Sequence, residues 1–418
     1  MRHAESHTGL KAGKAIIIGA GVVGCSTALA LAEKGWEVAL VDGQAGPGLG
    51  TSHANGAQLS YSYVEPLATP ATLGKLPSFL FSPSSPLTFR LRADVHQWTW
   101  LARFLLACTD ERVKQTTRSL LELARLSRET MDGWLEQNGW DCDYAMPGKL
   151  VLLPDGDALK AARRQVAFQA SLGCRQDILD AAGCVDIEPA LAGYAPSFAG
   201  GVWTADECVI DPLLLTNAMM ARLESQGHTG HFNLPAQSLV VHKGRVCGVN
   251  TPGGEILADA VVICSGVHAN QLISGLSPRL PVYPIKGYSV TLDMVDGAAA
   301  PKVSITDSRR KLVFARLGNR VRVAGRAEVV GYRTDIAPRA IEELLQGMRA
   351  VFPDAKWTDD IQPWAGLRPS TPTGLPIYGP TRTPGLYVNA GHGALGLTLA
   401  AGSARRLAEA MSPSRVAA

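Results

Sequence analysis

Gly19, Gly21 and Gly24 stand in the G-x-G-x-x-G spacing inside the uncharged stretch Ala15 to Ala32, and Asp42 ends the next apolar run twenty-three positions after Gly19. Each residue type has a physical task. A strand from Ala15 to Ile18 that turns sharply into a helix needs glycine at 19, close approach of a pyrophosphate needs it at 21, and tight helix-on-strand packing needs it at 24. Ala20, Gly21, Val22 and Val23 open that helix, whose first N–H groups and positive dipole end suit phosphate. The Asp42 carboxylate, followed by Gly43, is placed to accept hydrogen bonds from both hydroxyls of an adenosine ribose and to repel a 2′-phosphate. These residues predict a dinucleotide site. Eighteen uncharged residues also reach the lower limit of a membrane span, but the glycine register and the second strand directly after Glu33 and Lys34 argue against one. No H-E-x-x-H, C-x-x-C, G-x-S-x-G or P-loop sequence occurs, so metal hydrolysis, acyl transfer and nucleotide hydrolysis have no support and no metal site is predicted.

The elements that must position these residues are spread along the chain. A Gly/Pro/Ser-rich loop, GQAGPGLGTSHANGAQLSY, follows Asp42 and is too rich in glycine for regular structure. Leu, Trp and Phe recurring every three or four places predict helix from Ala93 to Asn138. Lys149 to Leu153 reads as a strand and Asp157 to Leu172 as a helix, and another helix starts near Pro212 with Asp211 as N-cap. Residues 238 to 264 read as a β-meander with turns at Lys243-Gly244 and Gly253-Gly254, its last strand meeting Ser265-Gly266. A second β-rich block holds PVYPIKGYSVTLDM and a hairpin at Gly318-Asn319, and the chain returns to strand, loop and helix in LYVNAGHGALGLTLAAGSARRLAEAM. A nucleotide-binding unit at the start, a strand ending in Ser-Gly far downstream and a glycine-opened helix at the end predict one domain assembled from separated segments.

The 418 residues are 46% hydrophobic, enough for an ample core. With 40 basic against 37 acidic residues the net charge is +3, too small a field for nucleic acid. The eight cysteines fall partly inside apolar runs and read as reduced core thiols. The first fourteen residues contain no apolar signal region, which predicts a cytoplasmic chain. Leu76 to Phe89, uncharged and interrupted by three prolines, reads as a buried loop, with a membrane-surface patch beside a quinone pool as the alternative.

Along nearly its whole length after residue 14 the chain resembles the D-amino-acid dehydrogenase group of the D-amino-acid oxidase superfamily of FAD-dependent oxidoreductases. The resemblance rests on IIIGAGVVG (16 to 24), TSHANGAQLS (51 to 60), LPVYPIKGYSVTL (280 to 292), GNRVRVAGRAEVVGY (318 to 332), WAGLRPSTPTGLPIYG (364 to 379) and NAGHGALGLTLAAGS (389 to 403), in this order. It implies an α/β fold with an α+β second domain. A Rossmann-type FAD-binding domain would be built from 12–64, 204–277 and 358–412, and a substrate domain with a mostly antiparallel sheet and flanking helices from 65–203 and 278–357, after a flexible extension at 1–11. It implies non-covalent FAD, oxidation of a D-α-amino acid to its imino acid, and electron delivery to an acceptor such as a quinone. The chain departs from the family pattern where Asn55 is followed directly by Gly56-Ala57, at Thr373 where Asp is frequent, and at Leu397 where a bulky aromatic is frequent.

Hydride transfer from Cα needs placement more than a base, and the substrate carboxylate needs a cation. Arg368, between Gly366 and Pro369, is the expected bidentate anchor, a role the resemblance also gives it. Tyr288 and Lys286 are expected beside it, as a hydroxyl hydrogen-bonding to substrate and a partly desolvated second cation. Gly391, His392, Gly393, Leu395, Gly396 and Leu397 open the last helix, whose N-terminus would stabilise the negative charge that develops on reduced flavin. Thr51, Ser52, His53, Asn55, Gly56, Ser265 and Gly266 complete the expected cofactor contacts, with His53 as the position at which a covalent link is the less favoured alternative. Three other readings are a secondary or cyclic amine as substrate, a flavin-binding subunit active only within a heteromeric complex, and an NAD-dependent, colourless dehydrogenase.

Overall fold

The computed structural model describes residues 12–64, 66–74, 87–90, 92–297 and 299–412. The extension at 1–11 and most of the Leu76–Phe89 stretch lie outside the described residues; of the latter, Leu87–Phe89 forms a short strand. Two large sheets organise the rest. The first has the strand order Ile377–Pro380, Leu386–Ala390, Ala260–Ile263, Gly13–Ile18, Trp36–Val41, Thr229–His231, parallel throughout except at the Ile377–Pro380 edge. Its central strands are apolar runs without alternation, as burial on both faces requires. One face is covered by the helix Val22–Ala32, which packs on the helices Pro212–Ser225 and Gly396–Met411. Small residues set these distances. A Cβ at Gly24 would overlap the carbonyl oxygen of Gly19, and one at Gly402 would stand 2.5 Å from that of Leu123 on the 29-residue helix Asp110–Asn138.

The second sheet has ten strands. Its main path runs Lys356–Trp357, Tyr283–Asp296, Arg320–Val329, Leu312–Leu317, Ser304–Asp307, Lys149–Leu153, Gly200–Thr204, Asp177–Asp180. Gln362–Ser370 pairs antiparallel along the 283–291 segment, and Leu87–Phe89 joins Arg320–Val329 in parallel. The sequence-based division groups 362–370 with the nucleotide segments, yet here this strand extends the large sheet. The helix Pro338–Val351 covers that sheet with Leu344, Leu345, Met348 and Val351, one apolar stripe at helical spacing.

Two expectations need correction. The helix expected from Ala93 to Asn138 is two, Val95–Ala107 and Asp110–Asn138, because the Thr109 hydroxyl accepts from Arg112 N and caps a fresh start. The four-strand meander is a three-strand sheet of Ser238–His242, Arg245–Thr251 and Gly254–Leu257. The fourth strand, Ala260–Ile263, is buried at every position and lies between Gly13–Ile18 and Leu386–Ala390. Elsewhere the local reading holds. Asp211 caps Pro212–Ser225 by accepting from Leu213 N and Leu214 N, and the eight cysteines are free thiols.

Candidate active site

Gly13–Ile18 and Ala260–Ile263 are neighbours, and the parallel strands of this sheet next after them, Trp36–Val41 and Leu386–Ala390, lie on opposite sides of the pair, the switch point at which a crevice opens at the carboxyl ends of parallel strands. The crevice is part of a cavity of about 910 Å³ closed on its other side by the ten-stranded sheet. Of the residues singled out in the sequence, it brings together Gly19, Gly21, Val22, Val23, Asp42, Gly43, Thr51, Ser52, Asn55, Gly56, Ser265, Gly266, Tyr288, Arg368, His392, Gly393, Leu395, Gly396 and Leu397. Ala20, Gly24, His53, Lys286 and Gly391 stand behind the wall.

At the nucleotide end the Asp42 carboxylate accepts from Ala20 N at 2.7 Å and Gln44 N at 2.8 Å, one bond per oxygen. A carboxylate has about four acceptor positions, so capacity for a diol remains. Ser52 Oγ accepts from Val22 N at 3.0 Å, taking one of the first N–H groups of the helix, and a Cβ at Gly21 would come within 3.1 Å of that hydroxyl. The Ser265 hydroxyl lies on the same wall, buried and without a protein partner. A cavity within the size range of cofactor sites, a glycine cradle and an orphaned hydroxyl together fit a dinucleotide.

The glycine-rich loop, largely without regular secondary structure, is stitched to the large sheet. Thr51 Oγ1 donates to Leu367 O at 2.9 Å, Ser289 Oγ to Ala54 O at 2.6 Å, and Gln58 Nε2 to Ser304 Oγ at 2.6 Å. Arg322, buried, donates to Asn55 O and is held by Asp211 at 3.3 Å. His53 Nδ1 is buried without a partner, and burial together with Arg322 holds its pKa below the ordinary value.

At the other end Arg368 emerges from Gln362–Ser370. Gly287 stands opposite Gly366 in the pairing, and a Cβ at 287 would overlap the Arg368 guanidinium, so this glycine is the gap through which the side chain passes. Across from Gly287 the strand Arg320–Val329 bulges: Lys286 pairs with Glu328 and Tyr288 with Gly325, leaving Arg326 at φ 57°. The bulged Arg326 carbonyl accepts from Arg368 Nη1 at 3.0 Å. Among the described residues no carboxylate lies within 4.0 Å of Arg368, and burial pulls its pKa below the ordinary value.

The two expected companions are differently engaged. Tyr288 lines the cavity as a residue, but its ring belongs to the core cluster with Val290, Leu292 and Leu344, its hydroxyl donates to Glu328 Oε2 at 3.0 Å, and burial with that carboxylate raises its pKa. Lys286 is buried, donates to Asp335 O, pairs with Asp335 Oδ1 at 3.6 Å and lies over the Tyr288 ring. His392 hydrogen-bonds to Ser403 Oγ at 2.8 Å and burial depresses its pKa to about 3, so its imidazole is neutral at ordinary pH. Sequence reasoning missed Gly287, Trp364, Gln58 and Lys149 on this wall. Only Gly287 carried a signal, a glycine inside a strand.

A parallel sheet with its glycine turn and ribose-side acid, closed over by an antiparallel sheet that presents a desolvated arginine, defines a two-layer dinucleotide-dependent oxidoreductase. Residues 14–410 match the DAO family, FAD dependent oxidoreductase, and the chain belongs to it. It is 45% identical over 403 residues to D-amino acid dehydrogenase 2 of Ralstonia nicotianae, covering 94% of this chain and 95% of that protein. It is 42% identical over 396 residues to D-amino acid dehydrogenase 2 of Pseudomonas aeruginosa, covering 94% and 93%. Among solved structures, glycine oxidase from Bacillus cereus superposes with a TM-score of 0.73 at 22% identity over 96% of this chain and 94% of its own. The L-proline dehydrogenase of P. horikoshii does so with 0.75 at 17% over 95% and 92%. The cofactor is therefore FAD, and at these identities the structural neighbours speak for the fold.

Proposed function

We propose that the chain oxidises a D-α-amino acid to the 2-imino acid, which water converts to a 2-oxo acid and ammonium, and passes the electrons to a carrier such as a quinone. When bound, FAD supplies the two-electron acceptor that takes a hydride from the substrate Cα. The observation that carries the reading is Arg368, a half-buried guanidinium with no carboxylate partner among the described residues, on the wall of the cavity that also holds the glycine turn. Its planar fork fits the substrate carboxylate. Anchoring that group leaves the orientation of Cα to the surrounding wall. Burial opposes protonation of His392, and Tyr288 keeps its proton beside Glu328, which fits an amine bound neutral and leaving as the protonated imine.

Relatives named D-amino acid dehydrogenase, matched along nearly their whole lengths, support the substrate class. The position of His53 behind the wall supports non-covalent FAD. No helix among the described residues is long and apolar enough to cross a membrane; a membrane-borne quinone would be met at a membrane surface. The test is anaerobic mixing of the purified yellow protein with D-amino acids, their L-enantiomers, sarcosine and D-proline. Bleaching by D-amino acids, with reoxidation faster by a quinone analogue than by air, is expected. Bleaching by sarcosine or D-proline alone would move the substrate to a secondary amine.

A further inference from the structure

Lys149, first residue of the strand Lys149–Leu153, is 4% exposed and lines the cofactor cavity. A buried ammonium is costly unless its protons are used. One goes to Ser60 Oγ at 2.7 Å, and the group lies 4.7 Å from the centre of the Tyr63 ring. Among the described residues no carboxylate stands within 4.0 Å of it. The acid that it feels, Glu207, spends its oxygens on Tyr61 N and Ser62 N, each at 2.7 Å. Ser60 carries the connection onward, because its own N–H donates at 3.1 Å to Thr398 Oγ1 in the first turn of Gly396–Met411. The ammonium, with Glu207 beyond ion-pair distance, and the positive end of that helix thus share one stretch of wall.

We propose that Lys149 is a second fixed positive charge of the cofactor cavity, acting with the first turn of the last helix to favour the reduced, anionic form of the bound FAD. The inference rests on the flavoenzyme reading above. Negative charge that develops on reduction is stabilised by preoriented positive groups in a water-poor site. Burial lowers the Lys149 pKa to about 8, opposed by Glu207, so the group is charged at neutral pH and titrates just above it. Glu207 and Tyr63 are the titratable groups facing it, from the turn before Cys208–Val209 and from the loop after Gln58–Leu59.

The test compares wild-type holoenzyme with Lys149→Met, Lys149→Gln and Lys149→Arg, without amino acid present. Sulfite, an anion that bleaches flavin held near positive charge, is titrated by loss of visible absorbance, and the midpoint potential is measured beside it. Met and Gln are expected to weaken sulfite binding by about tenfold or more and to lower the potential at unchanged FAD content, with Arg restoring both. In wild type alone the potential should fall more steeply above about pH 8, where the ammonium deprotonates, and the Arg variant should lack that extra fall. Unchanged sulfite affinity and potential in the neutral variants would overturn the proposal. So would a rise only in KM for the amino acid, which places the ammonium on the substrate, or a change only in FAD affinity, which places it on the phosphates. Should the neutral variants lose FAD, an identical pH course in wild type and the Arg variant would overturn it equally. A colourless wild type would sink the flavoenzyme reading itself.

Discussion

Arg368 and Lys286 are both basic residues on paired strands, and their surroundings divide their roles. Lys286 has Asp335 as a counter-charge and does not line the cavity, whereas Arg368 lines it and, among the described residues, meets a backbone carbonyl and no carboxylate within 4.0 Å. A half-buried cation without a counter-ion binds an incoming carboxylate with little competition. Arg368→Ala should therefore cost about 2–5 kcal/mol of substrate binding, a fall of about 30-fold to about 4,000-fold in kcat/KM carried by KM, while flavin absorbance per chain stays unchanged. Steady-state kinetics with the best D-amino acid checks this, and a normal KM would show that another group holds the carboxylate.

Three neighbouring strands together build the anchor. The bulge at Arg326 turns a carbonyl toward the guanidinium, the Gly287–Gly366 pair opens the gap, and Gln362–Ser370 supplies the side chain. In Gly287→Ala the new methyl group would meet the mobile end of Arg368 rather than backbone. The strand should survive and the guanidinium should move. The expected outcome is full FAD content and a melting temperature close to wild type, with KM raised at least about tenfold, as displacing a bidentate contact implies. Loss of FAD instead would mean that Gly287 serves the cofactor directly. The three glycines around the first helix answer to near contacts among residues 19, 21, 24 and 52 and, at Gly19, to the backbone of Cys264 at the end of the neighbouring strand.

In the molecule as a whole, a charge cluster with a buried centre ties the helix Pro212–Ser225 to the ten-stranded sheet. Asp211 caps the helix Pro212–Ser225 with one oxygen and with the other holds Arg320 at 3.1 Å and Arg322 at 3.3 Å, while Arg322 reaches Asn55 O and Thr291 Oγ1. Asp211→Asn keeps the cap but leaves the buried Arg322 without a counter-charge. Removing one partner of such a pair destabilises by about 3–5 kcal/mol, measurable by denaturant unfolding of the holoenzyme. Asp143→Asn, at the half-exposed end of the cluster, should cost less. Equal effects would show that the cluster does not couple the helix to the sheet through Arg322.

The nucleotide end was legible in the chain because its requirements are local: a turn, a close approach and a helix start within ten residues, with an acid one strand further on. Residue type likewise singled out Arg368, a planar cation between Gly366 and Pro369; these two residues read as a rigid turn, whereas the structure sets Arg368 in the strand Gln362–Ser370, which its pairing with the 283–291 segment holds extended. Whether that cation is free, and whether Tyr288, Lys286 or Lys149 shares its cavity, depended on which strands pair, where one of them bulges and which acid meets which base. Those contacts join residues up to hundreds of positions apart, so their physics is set by packing and desolvation in the folded molecule, which spacing along a chain does not encode.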